Sequence, residues 1–346
     1  MNHRAWRSGL LAALILLLAG CSAATAGTPP VLTPVATAAT TPAANLAAGQ
    51  VVATSPTAIP GTGTGNLLTP PVSTRTPGVT PGVTPASGAA TGATPTFDPD
   101  WQSLPVIPDL SPRAVAILED GLARGNNPRV FSKIGDCESQ ASWFLGDFDG
   151  PPQTYRLGAY QSAFQPVIAY YSGSFSRVSL AARPGFSAAS LLAPIWADKQ
   201  VCQKGESPLA CELRVNRPLV AFILLGSNDA SNPKTFEGHM RTILDETIAQ
   251  GVLPVVGTKA DNVEGNHFIN ATIARLAHEY GVPLWNYWRA VQPLPDHGLQ
   301  ADGVHLTFAP PRFDDPAAMQ KAWPVRNLNA LQILQRVMEK TPRAGE

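Results

Sequence analysis

Short apolar runs recur along the second part of the chain, each bounded by polar or turn-forming residues. They lie at 129–134, 175–180, 219–225, 253–256 and 282–286. Most of these runs have few polar positions, which is typical of strands that are covered on both faces of a sheet. We therefore expect five strands in a parallel sheet whose two faces are buried.

Helix-like segments separate these runs. Apolar residues recur three or four positions apart in 236–250 and again in 267–280, which predicts two amphipathic helices. Gly251 and Gly281 directly follow them, where a left-handed helix cap favours glycine. A last helix is predicted at 328–339. Strands that alternate with helices predict an α/β domain, here a three-layer α/β/α sandwich with helices on both faces of a parallel sheet.

The N-terminal residues have the pattern of an export signal. Two arginines within the first seven residues precede an apolar run at 10–18, which is too short to span a bilayer as a stable helix. This arrangement predicts a secretory signal peptide over residues 1–20. Residues 18–21, Leu-Ala-Gly-Cys, resemble a bacterial lipobox, which implies cleavage before Cys21 and lipid attachment to its sulfur. The alternative is an ordinary export signal with an incidental cysteine.

A long segment of low complexity follows the signal. Residues 21–97 consist mostly of Thr, Pro, Ala, Gly and Val, and Arg75 is their one charged residue. Such a composition cannot bury enough apolar surface to offset its ordering entropy. We expect a tether whose threonines are candidate O-glycosylation sites. It would link the lipidated Cys21 to a domain at 98–346, which is long enough to bury a sizeable core.

The charge balance bears on the partners. The chain has 25 Lys and Arg residues and 25 Asp and Glu residues, so its formal net charge is zero. The sequence has no basic stripe, which argues against a nucleic-acid partner. We expect an exported lipoprotein on the outer face of the cell membrane, with the lipid anchor as its contact with the bilayer.

Three short motifs stand out in the domain. Gly-Asp-Cys at 135–137 follows the first strand, Gly-Ser-Asn-Asp at 226–229 follows the third, and Asp-Gly-Val-His at 302–305 precedes the last helix. The first two therefore lie at the carboxyl ends of parallel strands, where sites gather in such sheets. In this order the motifs resemble the blocks of the SGNH (GDSL-type) hydrolases, and the resemblance covers about 130–307. It implies a flavodoxin-like sheet of five strands and the hydrolysis of ester bonds.

The resemblance also implies roles for the motif residues. The family's nucleophilic serine corresponds to Cys137, with His305 as base and Asp302, three residues earlier, as the group that orients it. A histidine can take the nucleophile's proton near neutral pH and return it to the leaving group. A carboxylate on its other nitrogen fixes the tautomer. An isolated Asp-x-x-His is most often a surface turn, so the assignment depends on the two upstream motifs.

Three donors are expected to stabilise the oxyanion. They are the side-chain amide of Asn228, the backbone N–H of Gly185 and the backbone N–H of Cys137. Gly185 follows the second strand in a Pro-Gly-Phe sequence and resembles the family's second-block glycine, although glycine after proline is often only a turn. Asp136 is expected to support the nucleophile turn rather than to act as a catalyst. These residues imply no metal and no organic cofactor.

Cysteine at the nucleophile position leaves three hypotheses open. In the first, Cys137 attacks the ester as a thiolate, and a nearby imidazolium lowers its pKa. In the second, the larger sulfur disarms the site, and the domain binds a glycan or a partner instead. In the third, Ser139 or Ser142, both expected in an ensuing helix, replaces it as the nucleophile.

Two further cysteines, Cys202 and Cys211, bracket a short polar loop. Outside the cytoplasm a local disulfide between them is the expected outcome. The alternatives are zinc ligation by the pair or a bridge from Cys137 to one of them. A local disulfide would leave the sulfur of Cys137 unpaired.

These features predict an extracytoplasmic ester hydrolase that acts on O-acylated glycans or lipids. The substrate class follows from the expected location and not from any pocket residue. The alternative is a catalytically degenerate SGNH domain that serves as a cell-surface module for binding a glycan or a partner. Four tryptophans could line a sugar-binding cleft or pack in the core: Trp143, Trp196, Trp285 and Trp288.

Overall fold

The computed structural model of the chain describes residues 100–341. These residues belong to the second of the two units into which the chain divides, Ser87–Glu346. The predicted signal peptide (1–20), the lipidation site Cys21 and the tether (21–97) lie outside the described residues. Within the described range, no helix is long and apolar enough to cross a membrane.

Four parallel strands form a sheet in the order of the sequence. They are β1 (Asn127–Gly135), β2 (Pro218–Leu224), β3 (Leu253–Gly257) and β4 (Leu284–Trp285). Each strand pairs with the next along the chain. Every residue of β2 and β3 is buried, as expected for strands that are covered on both faces.

Helices connect the strands. In the described part of the chain, the α-helices are α1 (Pro112–Ala123), α2 (Gln161–Tyr170), α3 (Ala188–Leu192), α4 (Pro208–Asn216), α5 (Pro233–Ala249), α6 (Phe268–Tyr280), α7 (Tyr287–Val291) and α8 (Ala322–Lys340). Short 3-10 helices lie at Trp101–Ser103, Cys137–Ser139, Gly146–Asp149, Pro152–Thr154, Gly158–Tyr160, Pro194–Trp196, Ser227–Asp229, Pro295–Gly298 and Ala318–Gln320. The α/β class with a parallel sheet is therefore confirmed, and the arrangement is compatible with three layers.

The helix predictions are also confirmed. The segments 236–250, 267–280 and 328–339 correspond to α5, α6 and most of α8. Gly251 and Gly281 have φ angles of 69° and 64°, the left-handed conformation that a glycine cap supplies after α5 and α6. A side chain with a Cβ would be strained at both positions.

Serine and proline begin two of the other helices. The Oγ of Ser111 accepts the N–H of Ala114 at 3.0 Å and so caps α1, and Pro112 occupies its first position. Ser207 and Ala210 repeat this arrangement at 3.1 Å in α4. A serine hydroxyl satisfies one of the free N–H groups of a first helical turn, and proline there has none to leave unsatisfied.

The segment predicted as a second strand is not a regular strand. Residues 175–180 have no strand conformation, and two residues further on Ala182 makes a single parallel bridge to Gly135 at the end of β1. The described sheet therefore has four strands instead of the expected five. The bridge lies on the edge of β1 that does not pair with β2.

Side chains make hydrogen bonds to the backbone of this segment that a neighbouring strand would otherwise have made. Lys133 of β1 donates from its buried Nζ to the carbonyl of Phe175. Glu212 of α4 accepts the N–H of Leu180 at 2.8 Å and a guanidinium N–H of Arg177 at 2.7 Å. Backbone groups that are already paired with side chains have no need of a neighbouring strand. An apolar pattern alone does not reveal this competition.

The predicted disulfide is present. Cys202 and Cys211 are bonded, with their Cα atoms 5.3 Å apart, and Cys137 is free. The two sulfurs and the carboxylate of Glu206 lie close enough together to hold a metal ion. Because both sulfurs are in the disulfide, neither is a thiolate that could bind zinc.

Candidate active site

The first motif forms a tight turn at the carboxyl end of β1. Asp136 accepts the N–H of Glu138 at 3.0 Å and caps the 3-10 helix Cys137–Ser139. Gly135 is required by the close packing, because a Cβ there would lie 2.2 Å from Ser139 Oγ and 2.3 Å from the carbonyl oxygen of Leu224. The turn therefore presents Cys137 immediately beyond the sheet, and Asp136 supports it.

Neither serine is placed as the replacement nucleophile requires. Ser139 is fully buried, and its Oγ packs against Gly135 with no hydrogen-bond partner among the described residues. Ser139 ends the 3-10 helix Cys137–Ser139, whereas Ser142, also expected in a helix, is exposed in a turn. Neither serine lines the cavity that contains Cys137.

The third motif forms a compact turn in which Asp302 orients His305. One carboxylate oxygen of Asp302 lies 2.7 Å from Nδ1 of His305, and the other accepts the N–H groups of Val304 at 2.9 Å and His305 at 3.0 Å. The hydrogen bond to His305 is the main reason that the pKa of Asp302 is lowered to about 2. The same hydrogen bond raises the pKa of His305. The contact between Asp302 and His305 that the sequence predicted is therefore present in the turn.

Cys137 and His305 line one cavity of about 550 Å³. Its remaining walls are Glu138, Trp143, Gln300, Leu306, Phe308 and Trp323. Among the described residues, no hydrogen bond joins the sulfur of Cys137 to the imidazole of His305. Hydrogen bonds between a nucleophile and its base are often long before substrate is bound, so the lack of this bond is compatible with Cys137 and His305 acting together.

Aromatic side chains form much of the cavity wall. Trp143 stacks on Trp323 with 6.1 Å between ring centroids and meets Phe308 edge-on at 5.7 Å. Trp143 is 46% exposed and Phe308 54% exposed, so their faces are open to a ligand. Of the four tryptophans considered from the sequence, Trp143 is the one in this wall, and Trp285 is fully buried in the core.

The polar side chains of the cavity are largely occupied within the protein. Both carboxylate oxygens of Glu138 accept hydrogen bonds, from the N–H of Leu306 and from Arg326. The amide of Gln300 donates to the carbonyl of Leu306 at 2.8 Å. The side chains left to react with or orient a ligand are therefore chiefly those of Cys137 and His305.

The surroundings of Cys137 oppose the thiolate. Burial, followed by the charges of Asp136 and Glu138, raises the pKa of its thiol to about 11. This is the reverse of the lowering by an imidazolium that was expected from the sequence. The thiol is therefore protonated near neutral pH, and a base must take its proton for attack to occur.

The candidate oxyanion donors are joined to the end of β1. The amide of Asn228 donates to the carbonyl of Phe186 at 3.0 Å, beside Gly185. Gly185, with φ 79°, lies in a turn closed by the N–H of Phe186 and the carbonyl of Arg183. The N–H of Arg183 in turn donates to the carbonyl of Gly135. Within 100–341, neither Gly185 nor Asn228 lines the cavity of Cys137, so their role remains a prediction.

The second motif is held by a buried ionic cluster. The hydroxyl of Ser227 donates to Asp261 at 2.6 Å, and Lys259 pairs with Asp261 at 2.7 Å and with Glu264 at 2.6 Å. Gly226 has φ 132°, and a Cβ there would lie 2.6 Å from a side-chain carbon of Ile269. The cluster and the glycine together fix the backbone that carries Asn228.

Glu138 and Arg326 are site residues that sequence reasoning missed. Arg326 is on α8, two residues before the segment predicted as the last helix, and only 5% of its side chain is exposed. The sequence signal that could have indicated a buried charge here is an arginine among apolar residues just before the predicted helix. Its partner is 188 residues away, so the pair itself has no local pattern.

The comparisons with known proteins leave the family open. No family model matches the chain, and no curated protein is significantly similar to it. The resemblance to the SGNH hydrolases therefore still depends on the three motifs.

Proposed function

We propose that the domain is an SGNH-type ester hydrolase that uses the thiol of Cys137. The observation that carries this proposal is the shared cavity of Cys137 and His305, in which Asp302 already holds the histidine ring. A nucleophile, a base and an orienting carboxylate are the groups that acyl transfer to water needs.

The proposed reaction has two stages. Because Nδ1 of His305 faces Asp302, its Nε2 is the nitrogen that accepts the thiol proton as the sulfur attacks the acyl carbon. The imidazolium then gives this proton to the leaving alcohol, and a thioester to Cys137 remains. In the second stage, His305 takes a proton from water as the hydroxyl adds to the thioester. The carboxylic acid leaves, and the thiol regains its proton.

The remaining parts of the proposal follow the family resemblance. The oxyanion is stabilised by the N–H groups of Cys137 and Gly185 and by the amide of Asn228. The bridge between Ala182 and Gly135 supports a fifth, reduced strand position beside β1 in a three-layer sandwich. The domain acts outside the cell membrane, held by the lipidated N-terminus.

The cavity wall favours an apolar acyl group over a sugar in the space beside Cys137. A sugar presents several hydroxyl groups that need partners when they are buried. The carboxylate oxygens of Glu138 and the amide nitrogen of Gln300 already make hydrogen bonds within the protein, whereas Trp143, Phe308 and Trp323 offer apolar surface. The acyl part of a lipid or of an acylated glycan therefore fits here, and the alcohol part lies outside this cavity.

A second function is a binding module without catalysis. Two observations favour it, namely the raised thiol pKa of Cys137 and the lack of a hydrogen bond to His305 among the described residues. Such a domain would keep the aromatic cavity and bind an acylated glycan or a partner without cleaving it.

Hydrolysis of p-nitrophenyl esters by the purified full-length chain separates the two functions. The wild type is compared with Cys137→Ala, Cys137→Ser and His305→Ala, each with and without a thiol-blocking reagent. We expect wild-type activity that is lost on blocking and in both alanine variants. An inactive wild type with an active Cys137→Ser would show a complete site that sulfur has disarmed. Silence of all variants, together with saturable binding of an acylated ligand, would establish the binding module.

A further inference from the structure

One carboxylate bridges the two segments that carry the proposed nucleophile and base. Glu138 directly follows Cys137, and its Oε1 accepts the N–H of Leu306 at 3.0 Å. Leu306 directly follows His305. The other carboxylate oxygen of Glu138, Oε2, accepts a hydrogen bond from Nη1 of Arg326 at 2.9 Å. A shift of this carboxylate would therefore move the residues next to the thiol and next to the imidazole relative to each other.

Arg326 fixes the carboxylate in place. Its guanidinium carbon lies over the rings of Phe144 at 5.1 Å, Tyr287 at 5.2 Å and Trp323 at 5.3 Å. Rings on several sides hold a guanidinium by cation–π attraction and leave it little room to move. Glu138 is thus paired with a cation whose own position is set by the core.

The loop that carries His305 has few other attachments to the nucleophile turn. The N–H of Gln300 donates to the carbonyl of His305 at 2.8 Å, and the N–H of Thr307 donates to Gly298 at 2.8 Å, both within the loop. The carbonyl of Thr307 accepts the N–H of Trp323 at 3.1 Å, which attaches the loop to α8. In the part of the chain that the structure describes, Glu138 supplies the hydrogen bond from the loop to the turn of Cys137.

We propose that Glu138, clamped by Arg326, is a positioning residue that sets the distance between the imidazole of His305 and the thiol of Cys137. The proposal rests on the proposed acyl transfer, in which the thiol proton passes to the imidazole. Glu138 itself does not touch the reacting atoms. It acts through the backbone of Leu306.

The geometry requires a carboxylate rather than an amide. The N–H of Leu306 and the guanidinium of Arg326 are both donors, and an ionised Glu138 offers an acceptor oxygen to each. A glutamine offers one oxygen, and its NH₂ group would face the other donor. Glu138→Gln therefore breaks one of the two bonds while it keeps the shape of the side chain.

The ionisation of Glu138 changes close to neutral pH. Burial raises the pKa of Glu138 to about 7, against the opposing charge of Arg326. The titratable and charged groups around it are Asp136 and Cys137 on the turn, His305 on the loop, Arg326 on α8, Tyr287 on α7 and Lys259 after β3. Because the protonated form cannot accept from both donors as strongly, the clamp weakens as the pH falls below about 7.

The test measures the rate at which iodoacetamide alkylates Cys137 in the full-length chain, followed by mass spectrometry of the peptide that contains it. The wild type is compared with Glu138→Gln and His305→Ala. Loss of a negative charge alone lowers the pKa of the thiol and speeds alkylation. Loss of position separates the thiol from the imidazole and slows it. The two effects therefore have opposite signs.

We expect Glu138→Gln to alkylate severalfold more slowly than the wild type at pH 7.5, close to the rate of His305→Ala. Glu138→Gln reacting as fast as the wild type, or faster, overturns the positioning role. Glu212→Gln is the matched control, because Glu212 is also a buried carboxylate that accepts from a backbone N–H and an arginine. It reports the effect of a lost buried ion pair, and we expect no change in the alkylation rate.

Ester hydrolysis adds a second readout. We expect Glu138→Gln to lower kcat by about 10- to 100-fold at unchanged KM, as for a small misplacement of a catalytic group. In the wild type, protonation of Glu138 adds its own loss of about 10- to 100-fold to the protonation of His305, so over roughly the first one to two pH units below about 7 kcat falls more steeply than the roughly tenfold per pH unit expected of Glu138→Gln. An equal slope in both proteins overturns the proposal. A wild type without esterase activity that keeps the expected order of alkylation rates overturns the hydrolase but supports the positioning role.

Discussion

At the scale of single residues, Cys137 is flanked by two acidic neighbours that work against its ionisation. Asp136 caps the turn and Glu138 ties it to the loop of His305, so both carboxylates have a structural task beside the thiol. Their charge, added to burial, keeps the thiol protonated. A protonated thiol reacts slowly with oxidants as well as with esters. The resting thiol is therefore chemically quiet, and in the proposed reaction His305 must take its proton as the sulfur attacks.

Trp143 should set the preference for the acyl chain. We compare kcat/KM for p-nitrophenyl octanoate with kcat/KM for p-nitrophenyl acetate. We expect Trp143→Ala to lower this ratio by about tenfold, because the longer acyl chain loses the burial of roughly two methylene groups. The acetate rate should change little, because its short acyl group does not reach the wall. Trp196→Ala is the matched control, since Trp196 is similarly exposed at 49% but lies outside the cavity. An unchanged ratio in Trp143→Ala would show that the acyl chain binds elsewhere.

The parts of the site that the sequence could predict are local. Asp302 and His305 are three residues apart, and their hydrogen bond follows from one tight turn. The pairing of Glu138 with Arg326 joins residues 188 positions apart, and it depends on where α8 lies relative to the turn that follows β1. The raised thiol pKa of Cys137 runs against the first of the three hypotheses, in which an imidazolium lowers it, because its direction is set by burial and by carboxylates whose orientation only the fold determines.

At the scale of elements, the apolar pattern predicted the buried strands β2 and β3 and the main helices, but not which hydrogen bonds the segment 175–180 makes. The amphipathic segments became α5, α6 and α8, and the run at 282–286 shortened to the two residues of β4. The run at 175–180 is next to β1 but irregular, since Lys133 and Glu212 take its backbone groups. Burial follows from composition, whereas a ladder also requires that no side chain compete for the same donors and acceptors.

Lys133 should make the stability of the domain depend on pH in the alkaline range. Burial lowers the pKa of Lys133 from 10.5 to about 7, so between these values the unfolded chain binds a proton that the folded domain does not. The contribution of Lys133 to the free energy of unfolding therefore rises with pH from about 7 to 10.5, by at most about 1.4 kcal/mol per pH unit, and above about pH 9 the raised pKa of Cys137 opposes it. We expect Lys133→Met to remove this rise in urea denaturation followed by circular dichroism.

The exposed Lys199 supplies the comparison for this prediction. Lys199→Met removes the same charge at the surface and should leave the slope above pH 7 as it is in the wild type. A slope that persists in Lys133→Met would mean that Lys133 keeps its charge when folded.

At the scale of the whole molecule, buried charges of both signs surround the sheet. Lys133 lies within β1, and the carboxylates of Asp136, Glu138 and Asp229 lie beyond the carboxyl ends of β1 and β2. Burial raises the pKa of all three carboxylates. Burial that raises the pKa of a carboxyl group lowers the free energy of unfolding at pH values where the group would be ionised in water. The packing of the core must offset the free energy that is lost by burying these carboxyl groups.

These groups together predict a stability minimum near neutral pH. The pKa of Glu138 is raised from 4.5 to about 7 and that of Asp229 from 3.8 to about 6, so in these ranges the folded domain binds protons that the unfolded chain has released. The free energy of unfolding therefore falls as the pH rises from about 4 towards 7, and Lys133 makes it rise again from about 7 to about 9, above which the raised pKa of Cys137 acts in the opposite direction.

Urea denaturation between pH 4 and pH 10 checks this shape, and Asp229→Asn assigns its acid side. We expect Asp229→Asn to flatten the fall between about pH 4 and 6, because the amide carries no charge to bury. Asp296→Asn is the control, since Asp296 is exposed and its left-handed backbone, φ 49°, suits asparagine equally well. A stability maximum at pH 7 in the wild type would contradict the expected cost of the buried carboxylates and would mean that their partners keep them ionised without penalty.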